Sequence, residues 1–409
     1  MRKHNKVRRV QPEEFSATIE DVAAMGEGLA RKDGEPVFVP YTIPGEKVRA
    51  EINRRGRRYV EADVLQIIEP SPYRVEAPCP YYQECTGCQW QHIEYAHQLD
   101  LKRHLVIDQL QRIGRFENPP VPPAIGCADP WHYRNHARFT VRGGKLGFMN
   151  NTTRRFVAID RCLIMDEGIN AILGQLQGKC SETSQLSIRL GVNGGAYLVQ
   201  PALKASEVGV STGQQHYEEE ILGRPFQVSS PSFFQVNSRQ AARLIELVWA
   251  RLNLSGRETV VDAYAGVGTF ASVLASHAKR IIAIEESSAA VKDARVNLAD
   301  LSNVEVVLGK TEEVLAQISP VPDAVILDPS RTGCHQDALR TLIERPPPRI
   351  VYVSCDPASL SRDLRILCES AYDLLEVQPV DMFPHTHHIE AVATLQRRTR
   401  TNSFTERHP

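Results

Sequence analysis

Thr259-Val-Val-Asp-Ala-Tyr-Ala-Gly-Val-Gly-Thr-Phe270 reads as a short strand that runs into a glycine turn and then opens a helix. Asp262 closes the strand, and Gly266 and Gly268 let the backbone approach a ligand closely. Downstream, apolar runs recur at regular intervals: Arg280–Glu285, Val304–Leu308, Ala324-Val-Ile-Leu-Asp328 and Arg349–Ser354. Helical segments over 268–278, 287–300, 311–318 and 335–344 separate them. Strands alternating with helices imply a parallel sheet covered on both faces. Ligands of such sheets bind outside the carboxyl ends of the strands.

The next strand ends in an acid, Glu285, about 20 residues past the turn, where a carboxylate can accept both ribose hydroxyls of an adenosine. The turn lacks the third glycine of the dinucleotide fingerprint and has no Gly-Lys-Ser/Thr. This argues against NAD and against a phosphate cradle. An adenosyl ligand without phosphates, S-adenosylmethionine, suits it.

Upstream the pattern differs. Residues 15–19, 37–41, 47–52 and 59–65 are strand-like and punctuated by Gly26, Gly28, Gly34, Gly45 and Gly56, as in a small closed barrel. Three close cysteines and a helix over about 92–112 follow, then the linker Pro119-Pro-Val-Pro-Pro123. Residues 130–230 form a second β-rich region, with hairpin signals at Gly143-Gly144 and Asn193-Gly-Gly195. The expected organisation is multidomain α/β. It comprises a small barrel over 1–69, a β-rich cysteine-bearing region over 70–230 and a Rossmann-like doubly wound domain over 231–400.

Composition bounds the rest. The 409 residues are 42% hydrophobic and 24% charged, with a net charge of −1, so collagen-like and disordered classes are excluded. No apolar run reaches the ~20 residues of a membrane span. Met1-Arg-Lys-His-Asn-Lys6 lacks the apolar stretch of a secretory signal. A cytosolic monomer without a membrane partner is expected. Nine cysteines, an odd number, argue for reduced thiols rather than a disulfide framework.

Cys355, in Val351-Tyr-Val-Ser-Cys-Asp-Pro357, lies just past a strand's carboxyl end between polar neighbours, a placement that argues for chemistry over packing. Asp328-Pro-Ser-Arg-Thr-Gly333 ends the preceding strand in the same cleft. Asp381-Met-Phe-Pro-His-Thr-His-His-Ile-Glu390 gathers two acids and three histidines, but Pro384 interrupts any helical metal-ligand spacing. Cys79, Cys85 and Cys88, with Cys162 as a distant fourth, could hold a tetrahedral zinc or a [4Fe–4S] cluster. Cys127, Cys180, Cys334 and Cys368 show no pattern and are assigned to packing.

Five ordered motifs, Phe233-Phe-Gln-Val-Asn237, Asp262–Phe270, Asp328–Gly333, Ser354-Cys-Asp-Pro357 and Asp381–Glu390, together resemble those of the bacterial RNA uracil-C5 methyltransferases. The resemblance spans nearly the whole chain and implies a set of roles. Cys355 would attack C6 of a uridine, and Glu390 would remove the C5 proton. Gln235, Tyr264, Glu285 and Asp328 would hold S-adenosylmethionine, with Thr269 and Thr311 as weaker correspondences. Cys79, Cys85, Cys88 and Cys162 would ligate a [4Fe–4S] cluster. Ser330 departs from the family's Pro or Ala without removing a catalytic group.

The barrel resembles the TRAM domain, an RNA-binding module. Its basic clusters are Arg2, Lys3, Lys6, Arg8 and Arg9, and Arg54-Arg-Gly-Arg-Arg58. Between Trp131 and Arg161, seven basic residues (Arg134, Arg138, Arg142, Lys145, Arg154, Arg155, Arg161) face one acid, Asp160. Trp131, Tyr133, Phe139, Phe148 and Phe156 interleave with them, a composition suited to single-stranded RNA. The barrel and the cysteines favour 23S rRNA over tRNA, since tRNA-specific bacterial relatives usually lack both. A non-catalytic RNA-binding or ribosome-assembly protein and an iron–sulfur redox protein are the rival classes.

Overall fold

A computed structural model describes residues 8–56, 59–204 and 209–399, the side chains of residues 8–10 excepted. The expected basic contributions of Arg2, Lys3, Lys6, the side chains of Arg8 and Arg9, and Arg57 and Arg58 lie outside the described residues.

The chain begins with six strands: β1 (Arg8–Thr18), β2 (Asp21–Val22), β3 (Gly28–Lys32), β4 (Glu35–Val39), β5 (Lys47–Arg55) and β6 (Val60–Glu69). Their order in the sheet is β1-β5-β6-β4-β3-β2. Two residues separate β1 from β2, yet the two occupy opposite edges, so the sheet must curl until its edges meet. The curl encloses Ile19, Val37, Val39, Val48, Ile52 and Val60. In β5 the alternation of Val48, Ala50 and Ile52 inward with charged residues outward sets the register. Sequence reading located β1, β4, β5 and β6 but passed over β3, where a glycine start and an Arg-Lys end mask a strand.

Helix α1 (Tyr95–Arg112) follows, starting three residues later than the sequence pattern indicated. A five-stranded antiparallel sheet is built from β7 (His136–Arg142), β8 (Lys145–Met149), β9 (Phe156–Ala158), β10 (Gln185–Leu190) and β11 (Tyr197–Gln200), in the order β11-β10-β7-β8-β9. Between β9 and β10, helix α2 (Glu167–Leu176) covers its inner face. Gly147 pairs within β8, and only glycine fits there, since a Cβ would sit 2.0 Å from the Val157 carbonyl oxygen. Propensity alone hides such a strand. The hairpin β12 (His216–Ile221)–β13 (Arg224–Ser229) leads to helix α3 (Ser238–Leu252).

The remainder is the open sheet that the opening stretch announced. Its elements are β14 (Thr259–Asp262), α4 (Thr269–Leu274), β15 (Arg280–Glu285), α5 (Ser288–Asn297), β16 (Val304–Leu308), α6 (Thr311–Gln317) and β17 (Ala324–Leu327). Then come α7 (Gln336–Glu344), β18 (Arg349–Ser354), α8 (Pro357–Ser370), β19 (Tyr372–Val380) and β20 (Glu390–Arg397). The strand order is β16-β15-β14-β17-β18-β20-β19. The five strands placed by sequence, β14 to β18, pair in parallel as expected, and what the pattern did not show is an edge hairpin in which β20 runs antiparallel to both β18 and β19. A hairpin closes that edge, and a hairpin needs no crossover helix to reverse direction.

Burial on both faces explains the unbroken apolar runs. Along β18, Val351 and Val353 enter one core while Ile350 and Tyr352 enter the other. Val106 and Leu110 of α1 join the second core. The strand order reverses between β14 and β17, so the crevice at their carboxyl ends is the natural ligand site.

Candidate active site

Three acids line that crevice. Asp262, at the end of β14, is buried, and one of its oxygens accepts the Ala271 N–H at 3.2 Å while Oδ1 has no partner. Glu285, at the end of β15, accepts the Gly266 and Ser287 N–H groups, both at 2.8 Å, on separate oxygens. Each oxygen keeps a second lone pair, so the carboxylate is oriented but not saturated. Asp328 follows β17. Burial lifts the Asp328 carboxyl to about 7; burial and the neighbouring Asp328 charge do the same to Asp262.

Between the acids the turn stays open. Gly268 takes φ +89° and packs its Cα so closely on Leu298 that a Cβ would lie 2.7 Å from a methyl carbon. A Cβ on Gly266 would meet nothing within 4 Å, so the space above the turn is clear.

Cys355 and Glu390 are 35 positions apart in sequence, and the sheet brings them together. Ser354 of β18 pairs with Ala391 of β20, so one step further sets Cys355 across from Glu390. Asp356 caps α8 behind the cysteine, accepting the Ser359 N–H at 2.7 Å. Cys355 is half-buried; burial, then the Glu390 charge, push its thiol up to about 11, against the pull of Arg331. Glu390 is 4% exposed and its Oε2 has no hydrogen-bond partner. Burial, reinforced by Asp328, holds its carboxyl well above the usual range. The nucleophile candidate and the base candidate therefore lie within electrostatic reach of Asp328 and Arg331, with Glu390 buried and Arg331 exposed.

The other expected residues are placed less uniformly. Gln235 lies on a half-buried loop whose carbonyl accepts the Asn135 side-chain amide at 3.0 Å. Phe234 is in the core, while Phe233 is 70% exposed. Tyr264 packs against the second core with its hydroxyl toward Cys334 and Thr311. Thr311 donates to the Ala263 carbonyl and so braces the turn from below. Burial drives the imidazoles of His385, His387 and His388 down to about 3, 3 and 4, leaving all three neutral near pH 7.

Sequence reading missed the pair beneath this loop. Lys102 and Asp381 are both fully buried, Nζ lying 2.5 Å from Oδ1, and the Tyr95 hydroxyl donates to the other oxygen at 3.0 Å. A lysine, with Gln98 one turn before it, in a largely apolar helical stripe is the local signal of it.

Cys79, Cys85, Cys88 and Cys162 wall one cavity of ≈ 250 Å³. The Gln91 side chain, 3% exposed, lines the same cavity beside the Cys79 and Cys88 thiols, and its Oε1 has no hydrogen-bond partner. Among the described residues no three His, Cys, Asp or Glu side chains form a group able to hold a metal ion. Of the aromatics near this region, Tyr133 and Phe139 are core residues, Phe148 stacks on Phe139 at 5.3 Å, and Trp131 stacks on His385 at 3.7 Å. Arg138, Arg142, Lys145, Arg154, Arg155 and Arg161 are exposed. Among the described residues no helix is long and apolar enough to cross a membrane.

A seven-stranded sheet with an acid-lined crevice at its switch point is the fold of an S-adenosylmethionine-dependent methyltransferase. Residues 216–398 match the tRNA (Uracil-5-)-methyltransferase family, and residues 8–65 match the TRAM domain. An uncharacterized RNA methyltransferase of Halalkalibacterium halodurans is 35% identical over 93% of this chain and 96% of its own. One from Nostoc sp. is 33% identical over 94% and 96%. The fold is similar to that of the Pyrococcus abyssi tRNA (uracil-54, C5)-methyltransferase solved with S-adenosyl-L-homocysteine. That match has a TM-score of 0.73 at 24% identity, covering 93% of this chain and 100% of that one. The chain belongs to the S-adenosylmethionine-dependent RNA (uracil-C5) methyltransferases.

Proposed function

We propose that the chain methylates C5 of a uridine in 23S rRNA through a covalent Cys355–C6 adduct resolved by Glu390. The observation that carries this reading is the β18–β20 register, which sets a nucleophile and a buried, partnerless carboxylate side by side next to the adenosyl turn. C5 of uracil is a poor nucleophile until C6 has been attacked. The Cys355 thiolate adds to C6, and the C5=C6 electron pair moves onto the C4 carbonyl as an enolate. Bound S-adenosylmethionine supplies the methyl carbon that C5 then takes. C5 now carries both the methyl group and its original proton. Glu390, as carboxylate, removes that proton; the C–H electrons rebuild C5=C6 and expel Cys355 as thiolate. Desolvation makes Glu390 a stronger base than a solvated carboxylate, which suits proton removal from carbon.

The residues fit the methyl donor. The orphaned Asp262 oxygen, the unsaturated Glu285 carboxylate and Asp328 concentrate negative charge where a cation-bearing adenosyl ligand would lie. Gln235 and Tyr264 would complete the contacts. Four thiols that line one cavity would be the ligands of a [4Fe–4S] cluster on Cys79, Cys85, Cys88 and Cys162. Such a cluster would supply structural rigidity, since methyl transfer has no net redox change. The TRAM match and the exposed arginines beside the cysteine cavity support a structured RNA substrate with an unpaired or flipped target base.

The test is incubation with 5-fluorouridine-substituted rRNA and S-adenosylmethionine. Fluorine blocks the last proton removal, so a covalent complex should persist in the wild type and vanish in Cys355→Ala. A complex retained by Cys355→Ala would overturn the mechanism. Mass-spectrometric mapping of 5-methyluridine in 23S rRNA and tRNA, with and without the gene, decides the substrate.

A further inference from the structure

Residues 381–389 link β19 to the start of β20, and this link is gripped from the cysteine side. The two N–H groups directly after Cys88, those of Gln89 and Trp90, both donate to the His385 carbonyl, at 3.1 and 3.0 Å. Gln98 of α1, fully buried, closes the junction from the other side. Its amide nitrogen donates to the Trp90 and Ile93 carbonyls at 3.0 and 2.9 Å, and its amide oxygen accepts the His385 N–H at 2.9 Å. The His387 ring nitrogen lies 3.3 Å from the Gln89 side-chain oxygen. His385 itself takes φ +64°, a left-handed conformation unfavourable for a side chain. Such a residue persists where its surroundings over-determine it, and here a carbonyl with two donors and a dedicated amide do so. Five residues later the chain reaches Glu390.

We propose that Gln98 is a positioning residue: with the N–H pair that follows Cys88, it holds His385 in place, so that an ordered cysteine loop sets the placement of Glu390. The inference rests on the reading of Glu390 as the base that removes the C5 proton. Gln98 satisfies the cysteine loop and the base-bearing loop with one side chain, so neither can shift without leaving a buried amide group unpaired. The four-cysteine site thereby acts on the last chemical step from outside the reacting atoms.

Hydrogen exchange read by mass spectrometry on the full-length protein tests the strut directly, comparing wild type, Gln98→Leu and Cys88→Ser. Exchange in the peptide covering 381–390 should rise at least tenfold in both variants while β14 stays protected, and the double variant should add little. With unsubstituted RNA, Gln98→Leu should lower kcat at least tenfold, leave KM for RNA within about twofold and accumulate the Cys355–RNA adduct. A merely structural lesion would lower adduct and product together. Gln98→Glu keeps the acceptor for His385 but loses the donor; it should fall between the two and replaces Gln98→Leu if that variant fails to fold. Unchanged exchange over 381–390 in Cys88→Ser overturns the proposal, as does wild-type kcat in the Gln98 variants. If instead no adduct or methyluridine forms even in the wild type, the reading of the chemistry has failed, and the exchange data still report on the strut.

Discussion

The free enzyme should have a sluggish cysteine at its centre. Burial and the Glu390 charge push Cys355 up to about 11, and Arg331 only partly offsets them. At pH 7.5 that leaves about one molecule in 3,000 as thiolate, against about one in ten for an unperturbed cysteine near 8.5, roughly a 300-fold deficit. A more basic thiolate is also more nucleophilic, and a Brønsted slope of about 0.45 returns roughly a tenfold gain. The deficit wins by a factor of about 20–30. Alkylation by iodoacetamide, quantified on the Cys355 peptide to separate it from the other eight cysteines, should therefore run about 20-fold slower than a model thiol at pH 7.5. The rate should climb about tenfold per pH unit through pH 9 without a plateau. Glu390→Gln removes the largest charge that raises the thiol, so its profile should shift to lower pH; Arg331→Gln removes the one that lowers it and should shift the opposite way. A plateau near pH 8.5 in the wild type, or no shift in Glu390→Gln, would refute this account of the pocket. On that outcome, reactivity would arrive with substrate and would not be stored in the resting site.

Glu390→Gln should still add Cys355 to C6 and receive the methyl group but fail to release product. A covalent complex with unsubstituted RNA should then build up on denaturing gels, and rapid turnover by this variant would remove Glu390 from its role. Lys102→Met strands the buried Asp381 carboxylate, kept then only by the Tyr95 hydroxyl and the Phe383 N–H. Its cost should be about 3–5 kcal/mol by urea denaturation, with Lys102→Met/Asp381→Leu recovering much of it. Asp262 and Asp328, both lifted to about 7, should lose protons when a cationic ligand binds between them. Calorimetry near pH 6.5 in buffers of different ionisation enthalpy should show proton release with S-adenosylmethionine, and affinity rising with pH up to about 8. Asp262→Asn should halve the release, and its absence in the wild type would contradict the burial argument.

The core of the catalytic sheet was legible because its signal is local. In β14, β15 and β18 a mostly apolar run ends at a polar residue, and their limits, like those of β16, match the sequence reading residue for residue. Where a strand is short, glycine-bearing or hairpin-paired, as in β8, β9 and β19–β20, local preference is weak and the partner strand decides. The same division holds within the site. Cys355, Asp262 and Glu285 mark themselves by sitting at strand ends. Lys102, Gln98 and Asn135 act through partners about 100 to 290 positions away. No spacing rule reaches that far.

By itself, then, the sequence determined the alternation of strands and helices, the glycine turn after β14, the candidate nucleophile and the cysteine motif. All of these are written in neighbouring side chains. Only the tertiary structure decided that β20 enters the sheet in reverse and delivers Glu390 opposite Cys355. It alone decided that the half-buried thiol lies near the acids Glu390 and Asp328 and that the loop before Glu390 hangs from the cysteine side. Register, burial and charge proximity are properties of packed surfaces, and they come into being only when distant segments exclude water between them.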